Sequence, residues 1–227
     1  MSTSRQPTLS TSRLVTIPIG EVALEGDLNI PPRAMGVVVF AHGSGSSRFS
    51  SRNRSVASAL EQAGLATLLM DLLTREEEVV DQLTAHLRFD IELLAERLMA
   101  ATDWLAELED TKHLPIGYFG ASTGAAAALV AAADRPDVVR AIVSRGGRPD
   151  LAGPALSRVR APTLLIVGSR DELVIELNRA ALKELRGEKR LEIVPGATHL
   201  FEEPGALEEV ARLARDWFVR YLAQPNA

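Results

Sequence analysis

The sequence predicts an α/β protein: a three-layer sandwich in which a mostly parallel, eight-stranded sheet lies between two layers of helices. Three observations predict it. Short, nearly continuous apolar segments recur, as expected of strands covered on both faces. Helical patterns alternate with them almost without exception. The length, 227 residues, is one that α/β folds often occupy as a single domain, here placed over residues 13–227.

The elements follow in order. Residues 1–12 (MSTSRQPTLSTS) are polar and expected to be flexible. LVTIPIG (14–20) and VALEGDLNI (22–30) are β-branched and partly alternating around Gly20, and stop at Pro31 and Pro32, which predicts two antiparallel strands closing one edge of the sheet. Six double-sided strands are expected at GVVVFAH (36–42), ATLLMDL (66–72), PIGYFGA (115–121), VVRAIVS (138–144), APTLLIVG (161–168) and RLEIVPG (190–196). Helices are expected over Arg52–Gly64, about Leu87–Leu108, Ser122–Ala133, Ile175–Leu185 and Ala206–Leu222, while Thr74–Ala85, acidic at its start, reads as a solvated helix end. The small side chains of 125–133 suit a helix packed closely on the sheet.

Composition narrows the chemistry. The chain has no cysteine, so disulfides, thiolate metal sites and cysteine nucleophiles are excluded. With 25 Lys plus Arg against 30 Asp plus Glu, the net charge of −5 argues against a nucleic-acid binder. No signal-like apolar region opens the chain, and the longest apolar run is far shorter than a membrane span, so a cytoplasmic protein without a membrane association is expected.

In open α/β sheets ligands bind at the carboxyl ends of the parallel strands. There, Gly120-Ala121-Ser122-Thr123-Gly124 fits G-x-S-x-G between a strand and a helix. The spacing has a steric cause: a serine on so sharp a turn brings the residues two before and two after it against neighbouring backbone. The plainer reading is that Ser122 merely caps its helix. A serine hydroxyl needs a base, and the base an orienting group. Among the four histidines, His113 falls at the wrong end of the sheet, His86 opens a long helix and His42 organises a Gly-rich turn; His199, just past the last strand, is the base candidate. Nine acids separate Ser122 from His199, and of these Asp171 is the first to follow directly on the carboxyl end of a strand. It would hold the Nδ1–H of His199, unless it only caps the helix behind it. The turn His42-Gly43-Ser44-Gly45-Ser46-Ser47 offers inward-facing amides, and the backbone N–H groups of Ser44 and Thr123 are assigned as oxyanion donors. Such a turn could also cradle a phosphate, but it lacks the lysine of a P-loop.

HGSGSS (42–47), GASTG (120–124), VGSRDE (167–172) and GATHLF (196–201) together resemble the α/β-hydrolase superfamily, and within it the small dienelactone hydrolase family, over about residues 14–222. The resemblance implies hydrolysis of a carboxylic ester or lactone through an acyl-enzyme, with no metal or cofactor, Ser122 as nucleophile, His199 as base and Asp171 as orienting acid. Dienelactone hydrolases proper use a cysteine there, so the serine form looks more like the general esterases of the family. Larger superfamily members carry a cap domain after the sixth strand. The sixteen residues of 145–160 leave no room for one, and an open cleft for a small-molecule ester is expected.

Phe49 and Phe201 are placed to line that cleft, with Leu200 beside the base. Arg48, Arg52, Arg54, Arg75, Arg145 and Arg148 lie near strand ends, and Arg48 and Arg145 are candidates for holding a substrate anion. A peptidase or perhydrolase would use the same triad, and a ligand-binding receptor could keep the fold without turnover. A monomer or homodimer is expected.

Overall fold

The computed structural model describes residues 11–223. The flexible segment expected at 1–12 lies outside the described residues up to position 10, whereas Thr11 and Ser12 already belong to the first strand.

β1 (Thr11–Ile19) and β2 (Val22–Ile30) form a hairpin about Gly20, whose φ of 58° suits the tight turn. β3 (Val37–Ala41), β4 (Ala66–Met70), β5 (Ile116–Ala121), β6 (Val139–Arg145), β7 (Thr163–Gly168) and β8 (Lys189–Val194) complete one eight-stranded sheet in the order β1-β2-β4-β3-β5-β6-β7-β8. β2 runs antiparallel to both its neighbours, and β3 to β8 pair in parallel.

The continuous apolar strands are double-sided, as their composition requires. In β3, Val37, Val39 and Ala41 join one core with Leu68, Tyr118 and Leu165, while Val38 and Phe40 point into a second core with Phe119, Val143 and Phe218. The first core is covered by α3 (Ile91–Glu107) and α4 (Thr123–Asp134), the second by α1 (Ser51–Gln62) and α6 (Ala206–Leu222). α5 (Glu172–Glu184) packs beside β7 and β8. Every residue of α4 except Val130 and Asp134 is buried. Alanine is what allows this, because longer side chains would hold the helix off the strand.

Two helices depart from the expectation. The long helix expected from Leu87 is split: Leu87–Phe89 is a 3₁₀ turn, and Asp90 then caps α3 by accepting the Leu93 amide at 3.1 Å. An aspartate serves a helix better at its start than inside it. Thr74–Ala85, read as a solvated helix end, contains a complete helix, α2 (Arg75–Thr84). Thr74 and Glu77 form a capping box, three glutamates occupy the first turn, and Ala85 ends the helix in the left-handed conformation. Its polarity is reversed. Asp81 is 4% exposed and paired with Arg88, and Glu77 faces the buried Arg97 at 2.8 Å, while Leu83 is 87% exposed and Val79 and Val80 also face outward.

The segment after β6 is a 3₁₀ stretch, Pro149–Arg158, kinked at Gly153. It is no cap domain. Among the described residues no helix is long and apolar enough to cross a membrane.

Candidate active site

β5 ends at Ala121, and α4 begins at Thr123, so the chain reverses through one residue. Ser122 absorbs the reversal at φ 50°, ψ −122°, a region glycine favours and other residues enter at a cost on the order of 1–3 kcal/mol. Its side chain makes no capping bond, which removes the reading of Ser122 as an ordinary cap. The flanking glycines are there because nothing larger fits. A β-carbon on Gly120 would lie 2.4 Å from the Cα of Ala125, and one on Gly124 would lie 2.3 Å from the Ala41 carbonyl oxygen. Gly124→Ala is therefore expected to lose about 3 kcal/mol, lowering Tm by roughly 6–12 °C in a chain of this size; thermal unfolding of the purified variant checks it.

Asp171 occupies the N-cap position of α5 but caps nothing. Its Oδ2 instead accepts from His199 Nδ1 at 2.6 Å, across 28 residues of sequence. This bond fixes the tautomer that leaves Nε2 unprotonated, the form in which an imidazole can take a proton. Arg145 and Gly146, at the end of β6, touch the neighbourhoods of both Ser122 and His199. The Ser122 amide donates to the Arg145 carbonyl at 3.2 Å, and the Ser122 carbonyl accepts from the Arg148 amide at 3.0 Å. Gly146, with φ 51°, lies so close to His199 that a β-carbon would stand 3.5 Å from its ring.

The Gly-rich turn meets the same point. Gly43 abuts the β-carbon of Ser122, and the Ser44 amide donates to Thr123 Oγ1 at 3.0 Å. His42 holds the turn from beneath. Its Nε2 accepts the Leu72 amide at 3.1 Å, which leaves Nδ1 as the protonated nitrogen that donates to the Gly43 carbonyl at 3.0 Å. Burial pushes its pKa below 6.5, against the opposing influence of Gly43 and Asp71. The sign follows from linkage. Above about pH 6.5 the ring is neutral folded or unfolded, and its contribution is complete; as pH falls below that, only the unfolded chain takes up the proton and stability drops, until the folded pKa is reached. Denaturant titrations at pH 7.5 and 5.5 should show a smaller loss in His42→Gln than in the parent, whose excess slope is at most roughly 1.4 kcal/mol per pH unit.

The substrate-binding expectations divide. Phe49 lines a 570 Å³ cleft beside the Gly-rich turn, with the guanidinium carbons of Arg48 and Arg54 at 4.2 and 5.2 Å from its ring centroid. Phe201 does not line it. At 1% exposure it is packed in the core against α1 and α6, where the chain turns inward with φ 57° at that residue. Leu200 stays partly exposed beside His199.

Arg48 also is corrected. A buried cation needs counter-charge, and this one finds it in Asp71 and Glu25, with its backbone amide on Asp71 as well. It anchors the turn to β2 and the end of β4, and its charge is already spent. Arg54 pairs with Asp27, Arg148 with Asp150, and Arg52 with Glu202. Arg75 is exposed, 3.8 Å from Glu25.

Arg145 differs from all of these. It is 7% exposed, and among the described residues the one hydrogen bond of its guanidinium goes to Asn53 Oδ1 at 3.3 Å and no carboxylate lies within ion-pair distance. Burial and the nearby Arg52 push its pKa down to about 10. It sits beneath the site, 6.0 Å from the Phe201 ring, rather than in the cleft. Asn53 and Thr123 Oγ1 are the two polar groups whose roles the sequence does not announce.

The chain matches the model of the dienelactone hydrolase family over residues 24–223. It is 61% identical over 212 residues to a Mycobacterium tuberculosis protein provisionally named a phosphoribosyl transferase, an alignment covering 93% of this chain but 47% of that protein. The chain thus spans about half the length of the curated relatives it matches. Among solved structures, a dienelactone hydrolase from Anabaena variabilis superposes with a TM-score of 0.93 at 63% identity, covering 95% of this chain and all of that one. Est1E from Butyrivibrio proteoclasticus shares the fold at 17% identity, with a TM-score of 0.78 over 93% of this chain and 99% of that one. From the match along nearly its whole sheet and the high likeness to the cyanobacterial structure, the chain belongs to the dienelactone hydrolase family.

Proposed function

We propose that this chain hydrolyses carboxylic esters through an acyl-enzyme on Ser122. The observation that carries the reading is the Asp171–His199 hydrogen bond at 2.6 Å, formed by an aspartate that forgoes the helix cap it is placed to make, beside a serine held at positive φ. A structural aspartate has no reason to make that exchange.

In the proposed reaction Ser122 Oγ attacks the ester carbonyl carbon as its proton passes to His199 Nε2. The Oγ–C bond forms, the carbonyl π pair moves onto oxygen, and the amides of Ser44 and Thr123 receive the oxyanion. The Ser44 amide serves Thr123 Oγ1 in the resting site, so it exchanges a neutral acceptor for a charged one, a stronger hydrogen bond. Imidazolium then protonates the leaving alkoxide, and water, activated by the same histidine, releases the acid. Asp171 supports the imidazolium throughout.

Labelling tests this directly. A fluorophosphonate should add once, on Ser122, by intact mass and peptide mapping; an unlabelled protein would overturn the reading. The mycobacterial relative's name suggests phosphoribosyl transfer, and we assign that name to the half of the relative this chain does not match. Incubation with phosphoribosyl pyrophosphate and common acceptors should then release no pyrophosphate.

A further inference from the structure

The 570 Å³ cleft beside the Gly-rich turn has a direction, and a chemistry at its far end, that the ester reading alone does not specify. It is lined by Ser44 and Thr123, the residues proposed to receive the oxyanion, and by Gly43, which abuts the β-carbon of Ser122, but not by Ser122 itself, His199 or Asp171. In acyl transfer the departing oxygen must face the base that protonates it, so the leaving group lies toward His199 and the acyl group extends the other way. The cleft therefore lies on the acyl side.

Leu72, Leu94 and Phe49 give the cleft apolar walls. Its far wall is built by α2 and the 3₁₀ turn after it and is polar. Arg88 gives Nε to Asp81 Oδ2 at 2.5 Å and Nη2 to the Asp81 carbonyl at 2.8 Å. Its Nη1 lies 3.9 Å from where a β-carbon on Gly45, across the cleft's lining, would stand. Glu78 lines the same cleft and, among the described residues, its side chain makes no hydrogen bond or ion pair; burial and Asp71 raise its pKa against the opposing influence of Arg48 and Arg75. Gln82, one turn further along α2, lines it too.

The wall thus presents an acceptor in Glu78, a donor in Arg88 Nη1, and an amide that is both. Asp81 already neutralises Arg88, so a carboxylate would meet the net negative charge of Glu78. A bare hydrocarbon would cover both polar groups and satisfy neither. A hydroxyl donates to one and accepts from the other. Building on the ester reading, we propose that this cleft selects acyl groups with an apolar body and a terminal hydroxyl, the body against Leu72, Leu94 and Phe49 and the hydroxyl between Glu78 and Arg88.

The test compares kcat/KM for methyl 3-(4-hydroxyphenyl)propanoate, methyl 3-phenylpropanoate and monomethyl succinate. The hydroxylated ester should exceed its unsubstituted analogue by about tenfold or more, with the carboxylate-bearing ester slowest. Glu78→Ala should bring the ratio of the first two near one, and Glu78→Gln, which keeps an acceptor oxygen, should restore part of it. A loosened helix would change both rates without that pattern. Binding of 3-(4-hydroxyphenyl)propanoic acid amide against 3-phenylpropanamide to Ser122→Ala, by calorimetry, should show the same preference without turnover. If Ser122 takes the fluorophosphonate but the parent ratio is near one, or Glu78→Ala leaves it unchanged, this inference falls and the ester reading stands. If Ser122 is not labelled and no ester turns over, both fall.

Discussion

Ser122→Ala should lower ester turnover by on the order of 10⁴- to 10⁶-fold and abolish any acyl-enzyme burst, with little change in Tm. The two halves of that expectation have separate causes. Turnover disappears because the adjacent hydroxyl, Thr123 Oγ1, belongs to the first residue of α4 and accepts the Ser44 amide at 3.0 Å, so it does not take the place of Ser122 Oγ. Stability survives because the Ser122 side chain makes no capping bond, so its removal frees no buried partner. The backbone supplies a sharper form of the same experiment. Since φ 50°, ψ −122° is a conformation glycine adopts freely, Ser122→Gly should be inactive and more stable, by about 1 kcal/mol once glycine's greater freedom in the unfolded chain is deducted. A Tm increase of roughly 2–4 °C would show it. A glycine variant that unfolds earlier than the parent would mean that the elbow is not under tension, and retained turnover in either variant would end the role assigned to Ser122.

Asp171→Asn is expected to reduce kcat by about 10⁴-fold, again without a matching loss of stability. An asparagine can point its amide nitrogen at Nδ1, which turns the ring to the tautomer with its proton on Nε2, facing the serine it should deprotonate. The imidazolium also loses the charge opposite it. Because Asp171 makes no cap to α5, the helix should not register the change. Steady-state kinetics at pH 8 beside thermal unfolding separate the two effects; a fall of less than tenfold would show that the 2.6 Å contact has no part in catalysis.

Much of this arrangement can be read from the sequence because it depends on local chemistry. The alternation that makes β3 double-sided is contained in five residues, and the crowding that demands Gly120 comes from Ala125, five positions on. Gly124 is crowded by Ala41 and His42 at the end of β3, yet the G-x-S-x-G spacing announces it. The orders of strand and helix then place Ser122, Asp171 and His199 at one edge. What escapes the reading depends on distant partners. Arg48 looks available until β2 and β4 come together and set Glu25 and Asp71 against it. Arg145 meets Asn53 across 92 residues. α2 reads as solvated because its acids suggest an outer face; only Arg88 and Arg97 make Asp81 and Glu77 inner ones. Phe201 follows the base in sequence, yet the backbone reverses there and carries the ring into the core.

The chain distributes its site unevenly along its length, and this bears on synthesis. The Gly-rich turn reaches the elbow across 79 residues, from Ser44 to Thr123, and His199 follows all eight strands, in the loop after β8. A ribosome emitting the chain from its amino end exposes turn and serine first and the imidazole late. On the mechanism proposed for Ser122 and His199, the nascent protein carries a hydroxyl with nothing to deprotonate it until β8 has docked on β7, so reactivity toward esters would mark a chain whose sheet is closed through its last strand.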